Sequence, residues 1–251
     1  MSAILEVRQI SHNFGGLQVL RDVNFSVVKG SATGLIGPNG AGKSTLFNII
    51  SGFLRPTHGD IVDSGTLITR LTVQQRSYAG LIRTFQTPQV FSQLTVLENL
   101  IAGCYKQGRS GVVASLLRLP TVYREFAEAT HLADQTCAEF GLEAVSDQLA
   151  GRLPAGQQRL VELARAAISK PRLMCLDEPS SGLSSEEVVQ LVRILRRLNE
   201  AGVTILLVSH DMELMGISSN IHVLCFGEII ASGSMSELQA DPRVREAYLG
   251  A

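Results

Sequence analysis

The segment Gly37–Ser44, which reads Gly-Pro-Asn-Gly-Ala-Gly-Lys-Ser, constrains the fold of this 251-residue chain more than any other feature. It matches the pattern GxxxxGK[ST] in full, and it lies between an apolar segment at Ser31–Ile36 and an apolar run at Leu46–Ile50. A strand, a glycine-rich loop and a helix in this order form an anion site, because loop N–H groups and the positive end of the helix converge on phosphate. The alternative is a glycine-rich turn without a ligand, and the completeness of the motif weighs against it.

The residue types of this loop suit a nucleotide. Lys43 is predicted to reach the terminal phosphates and to be a catalytic residue, and the Ser44 hydroxyl is predicted to ligate Mg²⁺. The predicted nucleotide-binding residues in this segment are Gly37, Pro38, Asn39, Gly40, Ala41, Gly42, Lys43, Ser44 and Thr45.

A second acidic motif lies downstream, where the apolar run Leu173–Leu176 ends in Asp177 and Glu178. The run is typical of a buried parallel strand with carboxylates at its C-terminal end. Asp177 is predicted to hold Mg²⁺ directly or through water, and Glu178 to polarise an attacking water as a general base. An ordinary strand-to-loop Asp-Glu pair would be the preferred interpretation if the phosphate loop were absent.

Composition excludes several classes of protein. The chain has 22 Lys and Arg against 23 Asp and Glu, a formal net charge of −1, so there is no general electrostatic case for nucleic-acid binding. Hydrophobic residues make up 45%, which is enough for a core, and the apolar runs are shorter than the ~18 residues of a membrane-spanning helix. The four cysteines form no CxxC pair and are expected to be buried; they are Cys104, Cys137, Cys175 and Cys225.

Hydrophobic periodicity predicts an α/β core, with a mostly helical lobe in the middle of the chain. The predicted strands are Leu5–Ile10, Val19–Val28, Ser31–Ile36, short edge strands in Gly59–Ile68, Gly80–Phe85, Leu173–Leu176, Val203–Val208 and a hairpin of Ile221–Phe226 with Glu228–Ala231. The predicted helices are Thr95–Gly103, Tyr123–Phe140, Gln157–Ile168 and Ser185–Asn199.

Two details of the predicted helical lobe can be checked against the structure. Thr95 and Glu98 have the spacing of a capping box. The helix Tyr123–Phe140 is expected to carry one apolar face, formed by Phe126, Thr130, Ala133, Cys137 and Phe140. Leu116–Leu119 is interpreted as a core helix, with a partner contact as the alternative.

Five further motifs lie before, between and after these two segments. They are His12-Asn13-Phe14-Gly15-Gly16, Arg83-Thr84-Phe85-Gln86, Leu153-Pro154-Ala155-Gly156-Gln157-Gln158-Arg159, Ser181-Gly182-Leu183-Ser184 and Val208-Ser209-His210-Asp211. Together with the phosphate loop and Asp177-Glu178-Pro179, they make the chain resemble the ATP-binding subunit of an ABC transporter over nearly all 251 residues.

This resemblance implies a role for each motif. Phe14 would stack on adenine with Val19 nearby, and Gln86 would sense Mg²⁺, act in catalysis and couple to the membrane partner. In the family, the signature segment binds the γ-phosphate of ATP held by the opposite subunit, and here Gly156 and Gln157 remain for that contact. His210 would contact the γ-phosphate as a switch histidine. The alternatives are a core aromatic for Phe14, a solvated loop glutamine for Gln86 and a helix cap for His210.

The implied fold is a P-loop NTPase core of ABC ATPase type, with an antiparallel β lobe and an inserted α-helical lobe. The whole of 1–251 would be a single ATP-binding domain, with the helical lobe at about 87–155. The segments Phe14–Leu17, Arg83–Gln86, Leu94–Asn99, His210–Met212 and Asp241–Gly250 resemble importer ATPases for branched-chain amino acids, a lineage that includes urea and amide importers.

Two departures from the family pattern stand out. Pro154 and Ala155 replace the Ser-Gly of the signature, and Pro154 has neither hydroxyl nor N–H to offer. Losing one charge-assisted donor would cost ~1.5–3 kcal/mol at that contact, so we expect a weaker signature face. Ser184 stands where Asp or Asn is common in the D-loop. Both departures suggest a heterodimer with unequal sites.

The implied activity is ATP hydrolysis with Mg²⁺, powering uptake of branched-chain amino acids or related small solutes. The implied partners are transmembrane permease subunits, a second ATP-binding subunit in a homo- or heterodimer and, indirectly, a solute-binding protein, at the cytoplasmic face of the cell membrane. The alternatives are a soluble ABC-type ATPase without a membrane partner, or a nucleotide-binding regulatory module whose turnover is weakened by the altered signature.

Overall fold

The computed structural model describes residues 2–104 and 120–249. The chain divides into two compact units: the core unit comprises Met1–Gln86, Arg172–Ser181 and Val188–Ala251, and the helical unit comprises Thr87–Pro171 and Gly182–Glu187. The predicted core helix or partner contact at Leu116–Leu119 lies outside the described residues.

The strands of the core unit form two sheets. In chain order they are β1 (Ala3–Phe14), β2 (Leu17–Val28), β3 (Ala32–Ile36), β4 (His58–Asp63), β5 (Thr66–Leu67), β6 (Leu81–Arg83), β7 (Leu173–Asp177), β8 (Thr204–Val208), β9 (Asn220–Cys225) and β10 (Glu228–Gly233).

The larger sheet has six strands in the order β10-β9-β3-β8-β7-β6. The pairs between β9 and β6 in this order are parallel, and only the β9–β10 hairpin is antiparallel. Every residue of β7 and β8 is buried, as expected for strands at the centre of a parallel sheet. The predicted α/β core is therefore confirmed.

The smaller sheet has four strands in the order β2-β1-β4-β5, all antiparallel. It is the predicted antiparallel β lobe. Only β5 is an edge strand within Gly59–Ile68; the prediction was wrong for β4, which lies between β1 and β5 with Ile61 opposite Val7. The buried Ile61, Val62 and Asp63 of β4 explain its inner position.

The helices among the described residues are mostly short. They are α1 (Lys43–Ser51), α2 (Val73–Tyr78), α3 (Val96–Gly103), α4 (Pro120–Glu139), α5 (Ala155–Ile168), α6 (Ser185–Glu200), α7 (Met212–Met215), α8 (Met235–Ala240) and α9 (Pro242–Leu249). In this part of the chain, no helix combines the length and apolar character that crossing a bilayer would require.

Helix α1 follows the glycine-rich loop and is anchored by its apolar face. Four of its side chains are buried in the core cluster that also contains residues of β3, β7 and β8; they are Leu46, Phe47, Ile49 and Ile50. Burying each such side chain contributes about 2 kcal/mol, so the helix start at Lys43 is held firmly against the sheet.

The capping box predicted for α3 is confirmed. The Thr95 hydroxyl accepts a hydrogen bond from the Glu98 N–H at 3.1 Å, and the Glu98 carboxylate accepts one from the Thr95 N–H at 2.7 Å. Two otherwise unpaired donors at the helix start are thereby satisfied.

The apolar face predicted for α4 is only partly correct. Ala133, Cys137 and Phe140 are buried and Thr130 is half-buried, but Phe126 is exposed. Residues 121–130 are exposed or half-exposed, so only the second half of the helix is packed. Phe126 has the helical spacing of the buried residues but is not itself buried.

Candidate nucleotide site

The glycine-rich loop connects β3 to α1, as the sequence predicted. Lys43 is the first residue of α1, and its ammonium donates hydrogen bonds to the carbonyl oxygens of Gly37 (2.7 Å) and Pro38 (2.9 Å). Burial lowers the pKa of Lys43, and the carboxylates of Glu178 and Asp177 oppose that shift. The positive charge thus lies over the loop whose N–H groups would bind phosphate.

Two positions of the loop require glycine, because neighbouring strands lie too close to leave room for a side chain. A Cβ on Gly37 would overlap the carbonyl oxygen of Leu224 in β9. Gly42 has a φ of 103°, and a Cβ there would lie 2.7 Å from Cδ2 of Leu20. A side chain at either position would therefore push the loop away from the sheets that support it.

A cavity of about 580 Å³ in the core unit opens onto this loop. The loop residues Gly37, Pro38, Asn39 and Lys43 line one part, and Glu178, Ser209 and His210 line another. The structure therefore gathers the predicted phosphate loop, general base and switch histidine around one space.

Glu178 follows β7 in a backbone conformation that is unusual for a side-chain-bearing residue. Its φ is 47°, and its N–H donates to the carbonyl oxygen of Val208 at 2.8 Å. Its Oε2 is buried and lies 2.9 Å from Nδ1 of His210. Because Glu178 also lines the cavity beside the phosphate loop, its carboxylate is suited to accept a proton from a water molecule there.

His210 lies beside that carboxylate. Its Nδ1 is 2.9 Å from Oε2 of Glu178, an ion-pair contact when the imidazole is protonated, and its side chain is 82% exposed. The alternative role of helix cap falls to Asp211, whose Oδ1 accepts from the N–H groups of Glu213 and Leu214. Because Asp211 caps the helix, the His210 side chain is available to contact a ligand in the cavity.

Asp177, the last residue of β7, has a partner that the sequence analysis missed. Its Oδ2 accepts from Nη2 of Arg83 at 2.8 Å, and both side chains are nearly buried. Arg83 ends β6, which pairs in parallel with β7. The signal was present in the sequence, because a charged residue at the end of the apolar strand Leu81–Arg83 requires a buried partner.

The predicted metal ligands have the oxygen chemistry that Mg²⁺ prefers, namely a hydroxyl from Ser44, an amide oxygen from Gln86 and a carboxylate from Asp177. Ser44 lies in the first turn of α1. Gln86 is exposed three residues after β6, and Asp177 ends the neighbouring parallel strand. The carboxyl ends of parallel strands lie at one edge of a sheet, so this donor set fits the ion.

Phe14 ends β1 and is not a core aromatic, because 52% of it is exposed. The buried His12 ring contacts it edge-on, with 4.6 Å between ring centroids. Val19 in β2 approaches the phosphate loop, since its carbonyl oxygen is 3.1 Å from where a Cβ on Gly42 would lie. An exposed ring on β1, with Val19 of the paired strand β2 beside the loop, is compatible with the predicted base stacking.

The signature segment lies in the helical unit. Helix α5 begins at Ala155, two residues before the predicted start near Gln157, and Pro154 is an N-cap without a side-chain hydrogen bond. Gly156 and Gln157 therefore lie in the first helical turn, where N–H groups have no partner within the helix. A Cβ on Gly156 would overlap the Glu187 carboxylate, so a side chain at that position would require Glu187 to move.

The comparison with known families decides the identity. Residues 20–181 match the family model described as ABC transporter. The chain belongs to the ABC transporter ATP-binding family. Residues 228–251 of this cassette also match a model described as branched-chain amino acid ATP-binding cassette transporter.

Curated relatives resemble the cassette over its full length. Two of them are high-affinity branched-chain amino acid transport ATP-binding proteins, LivG of Escherichia coli K12 and BraF of Pseudomonas aeruginosa. The chain is 37% identical to LivG and 38% identical to BraF, each over 249 residues. Each match covers 98% of this chain and 98% of the relative. The chain is also 34% identical to the lipopolysaccharide export system ATP-binding protein LptB of Acidithiobacillus ferridurans, covering 100% of this chain and 98% of the relative.

Solved structures agree with this assignment. The cassette matches a nucleotide-free ATP-binding cassette from an ABC transporter with a TM-score of 0.85, and the ADP conformation of an ABC transporter cassette with a TM-score of 0.83. Both are 32% identical to this chain and cover 100% of both chains. The predicted family and fold are confirmed.

Proposed function

We propose that this cassette is the ATP-hydrolysing subunit of an importer for branched-chain amino acids or related small solutes. The observation that carries the proposal is its resemblance, over 98% of the chain, to LivG and BraF, together with the match of its C-terminal segment to the branched-chain amino acid model. The ATPase activity follows from the family, and the solute is the proposed part.

The site residues divide the chemistry among them. The triphosphate is bound by Gly37, Pro38, Asn39, Gly40, Ala41, Gly42, Lys43, Ser44 and Thr45, and the base stacks on Phe14 beside Val19. Ser44, Gln86 and Asp177 would hold Mg²⁺, which when bound would neutralise part of the charge on the phosphates.

Glu178 and His210 act on the reacting groups. Glu178 accepts a proton from the water whose oxygen attacks the γ-phosphorus, while the bond between that phosphorus and the bridging oxygen breaks to leave ADP and phosphate. His210 donates to the γ-phosphate at the mouth of the cavity. Both roles are supported by the position of the two side chains, which lie in contact and line the same cavity as the phosphate loop.

The assembly we propose contains two cassettes. The chain forms one ATP-binding domain over 1–251, with its helical lobe at about 87–155, and pairs with a second ATP-binding subunit whose site is completed by Gly156 and Gln157 of this chain. Because Pro154 offers no cap, pairing with a different cassette that has an intact signature would make the two sites unequal, whereas a homodimer would have two equal sites. The two cassettes contact transmembrane permease subunits at the cytoplasmic face of the membrane, and closure of the cassettes drives these subunits. A solute-binding protein delivers the solute.

The experiment that tests this function is ATP hydrolysis by the cassette reconstituted with candidate permease subunits. We expect a leucine-loaded binding protein to stimulate hydrolysis, and unloaded binding protein to stimulate it less. Stimulation by urea or an amide instead would assign a different solute. Hydrolysis without any permease association would favour a soluble ATPase, and nucleotide binding without hydrolysis would favour a regulatory module.

A further inference from the structure

Arg83 joins three elements of the core unit through one guanidinium group. Its Nη2 donates to Oδ2 of Asp177 at 2.8 Å, and its Nη1 donates to Oδ1 of Asn48 at 2.6 Å and to the Ser51 hydroxyl at 2.9 Å. Arg83 ends β6, Asp177 ends β7, and the other two residues belong to α1. A planar guanidinium can hold these partners in fixed directions, which a lysine ammonium cannot do.

The helix residues that Arg83 contacts lie on the face that carries Ser44. Asn48 and Ser51 follow Ser44 by four and seven positions, a spacing that aligns side chains along one side of a helix. Arg83 therefore ties the Ser44 face of α1 to the carboxylate of Asp177. These two residues are the proposed metal ligands contributed by α1 and β7.

The surroundings of Arg83 hold it in place. Its side chain is 7% exposed, and the guanidinium carbon lies 5.8, 5.7 and 5.2 Å from the ring centroids of Phe47, Phe53 and Phe85. Rings at these distances attract the cation and exclude water from the ion pair. The pair uses Oδ2 of Asp177, so the other carboxylate oxygen, Oδ1, has a fixed orientation.

We propose that Arg83 is a positioning residue for magnesium, which sets Asp177 and Ser44 at the correct separation before nucleotide arrives. The inference rests on the proposed function, because it assumes that these two residues hold the metal. Partners that orient metal ligands in this way commonly change metal affinity by about 10–100-fold when they are replaced.

The test compares nucleotide binding with and without metal. A fluorescent ADP analogue is titrated into the full chain in excess Mg²⁺ and in EDTA, and the ratio of the two dissociation constants gives the gain due to magnesium. We expect Arg83→Lys and Arg83→Gln to reduce this gain by about tenfold, and the affinity in EDTA to stay within about twofold of the unmodified chain. The exposed Arg55→Gln is the matched control and should leave both values unchanged.

A second variant separates positioning from charge. Asn48→Ala keeps the ion pair but removes one anchor on α1, and we expect it to lower the magnesium gain by a smaller factor. The double variant with Arg83→Lys and Asn48→Ala should lose no more of the magnesium gain than Arg83→Lys alone. If thermal unfolding shows that the Arg83→Gln chain is not folded, the magnesium gain is compared for Arg83→Lys and Asn48→Ala alone.

The two possible failures can be distinguished. Folded Arg83 variants with the magnesium gain of the unmodified chain would overturn the positioning role and leave Arg83 as a structural ion pair. An unmodified chain that binds no nucleotide, with or without Mg²⁺, would instead overturn the proposed function itself.

Discussion

Nδ1 of His210 lies 2.9 Å from Oε2 of Glu178, although 32 residues separate them in the sequence. The two residues meet because β7 and β8 are parallel neighbours, with Asp177 opposite Val208, and each strand continues into one of them. This contact places the predicted general base and the predicted switch histidine at one edge of the sheet, facing one cavity.

Replacing His210 should affect turnover more than binding. We expect His210→Ala to lower kcat by about 100-fold, since it removes a donor to the γ-phosphate that matters most in the transition state. The dissociation constant for ATP should change only a few-fold. Steady-state phosphate release and nucleotide titration measure the two quantities.

His131→Ala is a suitable control for this variant, because His131 is exposed on α4. It should hydrolyse ATP at the unmodified rate. If His210→Ala also kept that rate, His210 would have no role in the reaction.

The signature helix should become more stable when its cap is restored. The backbone of Pro154 has φ −54° and ψ 153°, an extended conformation that serine adopts readily at an N-cap. We expect Pro154→Ser to stabilise the chain by about 1 kcal/mol, because its hydroxyl can accept from an N–H of the first turn. Thermal unfolding measures the effect, and Pro154→Ala, which has no hydroxyl, should show no gain.

Gly156 and Glu187 should be energetically coupled. A Cβ at Gly156 would displace the Glu187 carboxylate, whose Oε2 accepts from the N–H of Ser184 at 2.8 Å. We expect Gly156→Ala to destabilise the chain by about 1 kcal/mol, the usual value of a lost capping interaction. In a Glu187→Ala background the same substitution should cost little, and a double-mutant cycle of urea unfolding tests this. Additive effects would show that the two residues do not interact.

Arg76 should be the most sensitive position near the C-terminal end of α1. The residue is 1% exposed. Its guanidinium group donates to the carbonyl oxygens of Ile49 and Ile50 at 2.6 Å, of Thr69 at 3.0 Å and of Leu71 at 3.2 Å. Burial lowers the pKa of Arg76 to about 10, so it remains charged at pH 7. We expect Arg76→Ala to cost about 3 kcal/mol or more, because several buried acceptors lose their donor.

The control for Arg76 is Arg70→Ala, since Arg70 is exposed. Its free energy of unfolding should stay within about 0.5 kcal/mol of the unmodified value. An Arg76→Ala chain as stable as this control would contradict the role of Arg76 as a cap for α1.

The features that local sequence predicted well are those set by neighbouring residues. The strand, loop and helix around Gly37–Ser44, the capping box of Thr95, and the strand that ends in Asp177 all depend on residue type and spacing within a few positions. The hairpin of β9 and β10 follows the same rule, with Gly227 in its turn at a φ of 83°.

The features that sequence did not predict depend on contacts between distant segments. Nothing near Arg83 in the chain indicates that its partners are Asn48 and Asp177, and the overlap that a Cβ on Gly156 would make with Glu187 is equally remote in sequence. Phe126 is the reverse case, because helical spacing predicted burial for a side chain that is exposed in the structure. Periodicity shows which residues share a face of a helix, and tertiary packing determines whether that face is covered.

The central claim, that Glu178 acts as general base in ATP hydrolysis, is tested most directly by Glu178→Gln. The amide keeps the size of the side chain but cannot accept the proton, so we predict that phosphate release falls by at least about 100-fold while Mg²⁺-ATP binding is retained. A Glu178→Gln chain that hydrolyses ATP at the unmodified rate would contradict the account.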